Sequence, residues 1–245
     1  MTIKTRSSAF TLIELLIVIA IIAILASIAL PAFIGVQERA QQTKDLSNIK
    51  QIGLCLKQFA IDNNGAFPSK APGTDYSTAA ALTAANFSNE AFWWLFPTYT
   101  TSEDIFVVPG SQYSPGNPDN VIDDPSLGAR TNTLKAGECA YSYITNISDT
   151  SNAAFPLVAD GWASATNPTK YDASKSNKGG VWAAKKAVVL FVDASAQVMK
   201  CTSSGATPPL TVLRAGHPTT GLFDNSTAVA NDPWLVAANL QLNPQ

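Results

Sequence analysis

Leu15–Ile34 reads LLIVIAIIAILASIALPAFI, and this stretch decides how the rest of the chain is arranged. Only Ser27 and Pro31 interrupt its apolar character. At a helical rise of about 1.5 Å per residue it reaches roughly 30 Å, the thickness of one hydrocarbon core. A buried core helix would be shorter or would show a polar face. A cleavable secretory signal has an apolar region of roughly 7–15 residues that ends at a small-residue site. The run fits neither pattern and reads as a membrane span. Working outward, the block Ala9-Phe10-Thr11-Leu12-Ile13-Glu14 precedes it and places one carboxylate at its mouth. A charge there is expensive in lipid and marks Glu14 as a functional candidate. The competing reading is a side chain that merely reaches the interface.

The tail Met1–Ala9 carries Lys4 and Arg6 and no acid, which is compatible with a cytoplasmic N-terminus. Arg39, Lys44 and Lys50 follow the span, so charge alone leaves its orientation open. Pro31 removes a backbone donor and crowds the preceding turn, and Gly35 weakens the same stretch. Two readings stand for Pro31: a kink or loosened turn, and an ordinary transmembrane proline.

Beyond Gly35 the chain turns polar but keeps a helical pattern. Leu46, Ile49, Gly53, Leu56 and Ala60 repeat at three and four residues, with Ile52 and Phe59 widening the stripe. Asn63-Asn64-Gly65, followed by Pro68, is a stop signal. A single helix from about Phe10 to Asn63 would be roughly 80 Å long. Residues 65–245 are rich in Pro, Gly, Asn, Ser and Thr. They also hold β-branched and aromatic runs able to bury a core. Strands are expected at Ala140–Thr145, Leu157–Ala159, Ala187–Val192, Ala196–Lys200 and Leu210–Leu213. The third and fourth form a hairpin across an Asp193-containing turn. Ser88–Phe96 reads as a short buried helix ended by Pro97. An antiparallel sheet packed on Leu46–Ala60 is the simplest architecture.

The net charge of −2 offers no basic patch for nucleic acid. There is no G-x-S-x-G elbow, Walker A loop or H-E-x-x-H motif, and the single histidine, His217, lies in a loop-like stretch. Residues 114–128 read as an exposed loop in which Asp119, Asp123 and Asp124, with Asn120, offer the hard oxygen ligands calcium takes. The competing reading is a solvated loop. Three cysteines are present. Cys139 and Cys201 border expected strands and are a candidate disulfide, with Cys55 left over; three buried thiols is an equal alternative. No cofactor is indicated.

The block from Ala9 to Glu14 with its apolar run resembles the signature of type IV prepilins and type II secretion pseudopilins. Asp62-Asn63-Asn64-Gly65-Ala66-Phe67-Pro68 resembles the Asn-Gly-x-Tyr-Pro exit of major pseudopilins, with Phe67 in the tyrosine position. The two matches cover roughly the first 68 residues. The resemblance implies an α+β, type IV pilin-like fold, with a long N-terminal helix, half transmembrane and half periplasmic, on an antiparallel β-sheet head. It divides the chain into a leader (1–9), a transmembrane half-helix (10–34), a periplasmic half-helix (35–64) and a globular head (65–245). It implies cutting by a prepilin peptidase between Ala9 and Phe10 and N-methylation of Phe10; glycine usually stands where this chain has Ala9.

Such a cut would create an α-amine on Phe10 with a reference pKa of roughly 8. Phe10 and Glu14 are four apart and share a helix face, at the end of the helix that favours a carboxylate. In the family's assembly model the glutamate attracts the amine of the preceding subunit, and the helix near Pro31 stretches or melts. Implied partners are the peptidase/N-methyltransferase, other pseudopilins and further copies of this chain, an inner-membrane assembly platform and the bilayer. The implied location is a single pass through the inner membrane, N-terminus cytoplasmic and head periplasmic. Major pseudopilins bind calcium in the head. The function implied is a non-enzymatic filament subunit of a type II secretion system. A type IV pilin or competence-type minor pilin is the alternative within the class, and a membrane-tethered periplasmic hydrolase or binding domain is the rival outside it.

Overall fold

With no strong stop signal before Asn63-Asn64-Gly65, the N-terminal sequence forms one helix, α1 (Leu12–Asp62). The structure, a computed structural model, describes residues 11–76, 83–163, 170–203, 210–217, 220–225 and 234–245. The chain divides into two compact units, Met1–Thr43 and Lys44–Gln245, and α1 contributes to both.

In the first unit the large apolar side chains from Leu12 to Val36 are exposed on every face of the helix. The most apolar window of α1 is wholly unburied and is long enough to cross a membrane. The single hydroxyl inside it is satisfied locally, because Ser27 Oγ donates to the Ile24 carbonyl at 2.8 Å. The helix continues through Pro31.

In the second unit α1 ends where expected. Gly65 adopts φ +81° and its N–H reaches back to the Ala60 carbonyl at 2.8 Å. The left-handed turn closes the helix, and glycine takes that conformation without strain. Ile49, Ile52, Leu56, Phe59 and Ala60 are all buried in the core. Burying a large apolar side chain contributes about 2 kcal/mol, so this face dominates what holds the helix to the head.

Among the described residues six antiparallel strands form one sheet: β1 (Tyr141–Ile144), β2 (Pro156–Asp160), β3 (Lys186–Phe191), β4 (Ala196–Ser203), β5 (Leu210–Val212) and β6 (Gln241–Leu242), in the order β5-β4-β3-β2-β1-β6. The first five coincide with the expected strands to within a few residues; β6 was not expected. The β3–β4 hairpin turns at Asp193, whose Oδ1 accepts from the Ser195 N–H at 2.8 Å. Helix α2 (Ser88–Trp93) is buried as expected but gives way to turns before Phe96, where the sequence places its end, and the Trp94 indole donates to the Lys70 carbonyl at 3.0 Å. A long N-terminal helix with an antiparallel sheet is the α+β, pilin-like architecture.

The candidate disulfide is not made: Cys55, Cys139 and Cys201 are all free, buried thiols. Cys139 lies just before β1 and Cys201 on β4, with β2 and β3 between them. Three strand spacings amount to about 14 Å, twice the Cα separation a disulfide spans. Instead, the Cys139 thiol donates to the Tyr141 carbonyl at 3.6 Å.

Candidate assembly site

The sequence Thr11-Leu12-Ile13-Glu14 starts α1 with a reciprocal cap. Glu14 Oε2 accepts from the Thr11 N–H at 2.8 Å and from Thr11 Oγ1 at 2.6 Å, and the Glu14 N–H donates back to Thr11 Oγ1 at 3.3 Å. This capping box satisfies donors that the first turn otherwise leaves open. The carboxylate at the mouth of the apolar helix is therefore exposed, oriented and held by its own chain. Ala9 and Phe10 lie outside the described residues. Pro31 lies within α1. The pattern Ser/Thr-x-x-Glu was visible in the sequence, but the reading of Glu14 passed over Thr11 as its partner.

The three loop aspartates do not come together. Asp123 organises the loop: its carboxylate accepts from the N–H groups of Thr131 (2.9 Å), Asn132 (2.9 Å) and Thr133 (2.9 Å). Partial burial works against its charge, but the N–H groups of Thr133, Thr131 and Asn132 outweigh it and hold the carboxyl below its usual range. Asp124 Oδ1 accepts from the Ser126 N–H at 2.9 Å and caps the 3-10 turn Pro125–Leu127. Only Asp119 joins an acidic cluster, with Glu103 and Glu138, whose carboxylate oxygens lie within 4.8 Å of one another.

Glu103 is buried and bridges two loop segments, Oε1 accepting from the Leu134 N–H at 2.6 Å and Oε2 from the Asn120 N–H at 2.9 Å. Burial pushes its carboxyl up against the pull of the Leu134 N–H, and the charges of Glu138 and Asp119 push the same way. Lys135 Nζ pairs with both Asp119 and Glu138. An ammonium thus stands among the very oxygens a calcium ion would need, and the set as arranged does not fit a calcium centre.

His217 sits in a turn, its N–H donating to the Arg214 carbonyl at 3.0 Å. Two further carboxyls, Asp45 and Asp160, are buried in the head. Sequence reasoning missed both, because neither falls in a motif.

A family model described as the prokaryotic N-terminal methylation motif matches residues 4–30. The type II secretion system core protein G of Escherichia coli K12 is 30% identical over 109 residues, 43% of this chain and 74% of that protein. The chain belongs to the type II secretion system core protein G family. The core protein G of Aeromonas hydrophila is 40% identical over 72 residues, 29% of this chain and 50% of that protein. The type IV major pilin protein PilA of Myxococcus xanthus is 50% identical over 54 residues, 22% of this chain and 24% of the pilin. This chain thus spans half the length of the Aeromonas core protein G and less of the pilin. No solved structure matches the chain. Membership in the core protein G family agrees with the unburied apolar helix, which anchors the chain in a membrane by a single pass.

Proposed function

We propose that this chain is a pseudopilin, a structural subunit of a type II secretion filament that is not an enzyme. A prepilin peptidase cuts between Ala9 and Phe10 and methylates the new Phe10 amine. The leader is 1–9, the transmembrane half-helix 10–34, the periplasmic half-helix 35–64 and the head 65–245. The chain crosses the inner membrane once, N-terminus cytoplasmic and head periplasmic, and joins other pseudopilins at an inner-membrane assembly platform. Pro31 loosens the helix as subunits pack.

One observation carries this reading: a carboxylate, Glu14, is capped and exposed at the first turn of a helix whose large apolar side chains from Leu12 to Val36 are unburied. Removing the leader places an ammonium on Phe10, four residues from Glu14. A charge-assisted pair between neighbouring subunits then stabilises the stacking of apolar helices in a low-dielectric surrounding.

Mass spectrometry of the native subunit tests the processing step. The expected mass is that of a chain beginning at methylated Phe10, and the full-length mass in the functional protein would overturn it. Glu14→Leu tests the pair: the variant is expected to be cut and inserted but to enter filaments poorly. Incorporation at the wild-type rate would remove the role of Glu14. The similarity to PilA keeps a type IV pilin as the second reading. Filaments that depend on secretion genes support the first, and filaments that depend on pilus retraction genes support the second.

A further inference from the structure

Two buried carboxyls face each other inside the head, and no function described above uses them. Asp45 stands on α1, and its Oδ1 accepts from the Tyr141 hydroxyl of β1 at 2.7 Å. Asp160 closes β2, and its Oδ2 accepts from the Trp182 indole N–H at 2.8 Å and from the Val188 N–H of β3 at 2.7 Å. The second oxygen of each, Asp45 Oδ2 and Asp160 Oδ1, is buried and meets no donor among the described residues. Asp160 stands opposite Tyr141 in the β1–β2 register, and the Tyr141 hydroxyl reaches Asp45, so the two carboxyls share one buried neighbourhood. Two unpaired anions in such a place would repel strongly and would lack the solvent that stabilises charge. One proton between the two orphaned oxygens removes the repulsion and supplies the missing donor. A calcium ion would ask for six or more oxygen ligands, which this pocket of indole, phenol and strand backbone does not offer.

We propose that Asp45 and Asp160 share one proton in the folded head, and that this proton fastens α1 to the sheet through a clamp that weakens as pH rises. The hydrogen bond runs between Asp45 Oδ2 and Asp160 Oδ1, and it joins α1, β1, β2 and β3 through the partners named above.

The other titratable groups around the pair are Tyr141, Tyr171 and Cys201, with Cys139 beside Tyr141. Burial pushes both tyrosines well above their ordinary range and both thiols up to about 12, so all four stay neutral through the physiological range. Lys186 stands behind Trp182, with Nζ 4.9 Å from the indole centroid. Burial raises both carboxyls, Asp45 to about 6 and Asp160 further. A group raised on folding stabilises the fold fully below its unfolded pKa, about 4 for aspartate, and that stability is lost as pH rises through the folded pKa.

The test uses the full chain in detergent. Asp160→Asn keeps every bond: the amide oxygen accepts from Trp182 and Val188, and the amide N–H replaces the shared proton. Asp45→Asn does the same from the other side. As pH rises above about 4, the folding equilibrium of the wild type is expected to fall relative to either variant by up to about tenfold per pH unit, the signature of one proton. The infrared spectrum of the wild type at pH 7 is expected to hold a deuterium-sensitive carboxylic-acid C=O band that the Asp160→Asn spectrum lacks. Parallel pH slopes in all three proteins, or no band in the difference spectrum, would overturn the proposal. So would a wild-type stability that follows added sodium or calcium in place of pH. If either variant does not fold, the other and the wild-type band, found or missing, decide.

Discussion

Gly53 on α1 and Leu190 on β3 approach so closely that a Cβ on the glycine would lie 2.9 Å from the leucine Cδ1. A residue without a side chain lets the helix lie this near the sheet with the Leu190 methyl groups where they are. Alanine would gain about 1 kcal/mol in helix propensity but would force the Leu190 methyl groups aside, so Gly53→Ala is expected to be near neutral. Gly53→Val is expected to destabilise the head by about 1–3 kcal/mol through overpacking. Thermal melts in detergent check both, and Leu190→Ala is expected to absorb part of the Gly53→Val loss because it clears the space.

The thiols make a second prediction. All three cysteines are buried and unpaired, and burial pushes Cys139 and Cys201 up to about 12. The native chain is expected to resist iodoacetamide at pH 8 and to release three thiols on unfolding without reductant. Finding one thiol in the unfolded, unreduced chain would mean that a pair forms after all.

Asp123 ties three consecutive N–H groups to one carboxylate, so Asp123→Ala leaves several donors without partners. The expected cost is about 2 kcal/mol, read from denaturant unfolding. Its carboxyl is held low in the folded head, so its contribution is present above the unfolded pKa near 4 and is lost as pH falls through the folded value. Asp123→Asn is expected to flatten the acid limb of the stability curve.

The C-terminal segment is stitched to distant parts of the head. Ser142 Oγ donates to Asn243 Oδ1 at 2.7 Å, the Ser88 N–H donates to the Asn243 carbonyl at 3.0 Å, and the Gln245 N–H donates to Asn89 Oδ1 at 2.8 Å. Removing residues 241–245 takes away β6 and leaves these groups open. The melting temperature is expected to fall by about 5 °C or more. An unchanged melt would mean that β6 adds little to the sheet.

Thr11 and Glu14 give the last prediction. Thr11→Ala removes the hydroxyl that accepts from the Glu14 N–H, at a cost of about 1 kcal/mol to the first turn. Amide exchange in detergent is expected to quicken at Glu14 while the rest of α1 keeps its protection.

What was legible in the sequence was whatever local order along the chain encodes. The apolar run before Ile34, the stop at Asn63-Asn64-Gly65 and the five β-rich segments each carry their signal within a few residues. So does Thr11-x-x-Glu14, although a carboxylate read only for its charge concealed it. Tertiary structure decided the rest, because the partners lie far apart along the chain. β6 is two residues long and exists only because β1 offers an edge a hundred positions earlier. Asp119 and Asp123 look alike in sequence. Folding sends one to Glu103 and Glu138 and surrounds the other with backbone N–H groups. Cys139 precedes β1 and Cys201 lies on β4, and only the sheet order shows that β2 and β3 stand between them. Asp45 breaks the apolar spacing of its own helix, and only the arrival of Tyr141 turns that break into a contact. Helices and strands follow from periodicity, which is local; the environment of a buried charge is made by whatever the fold carries to it.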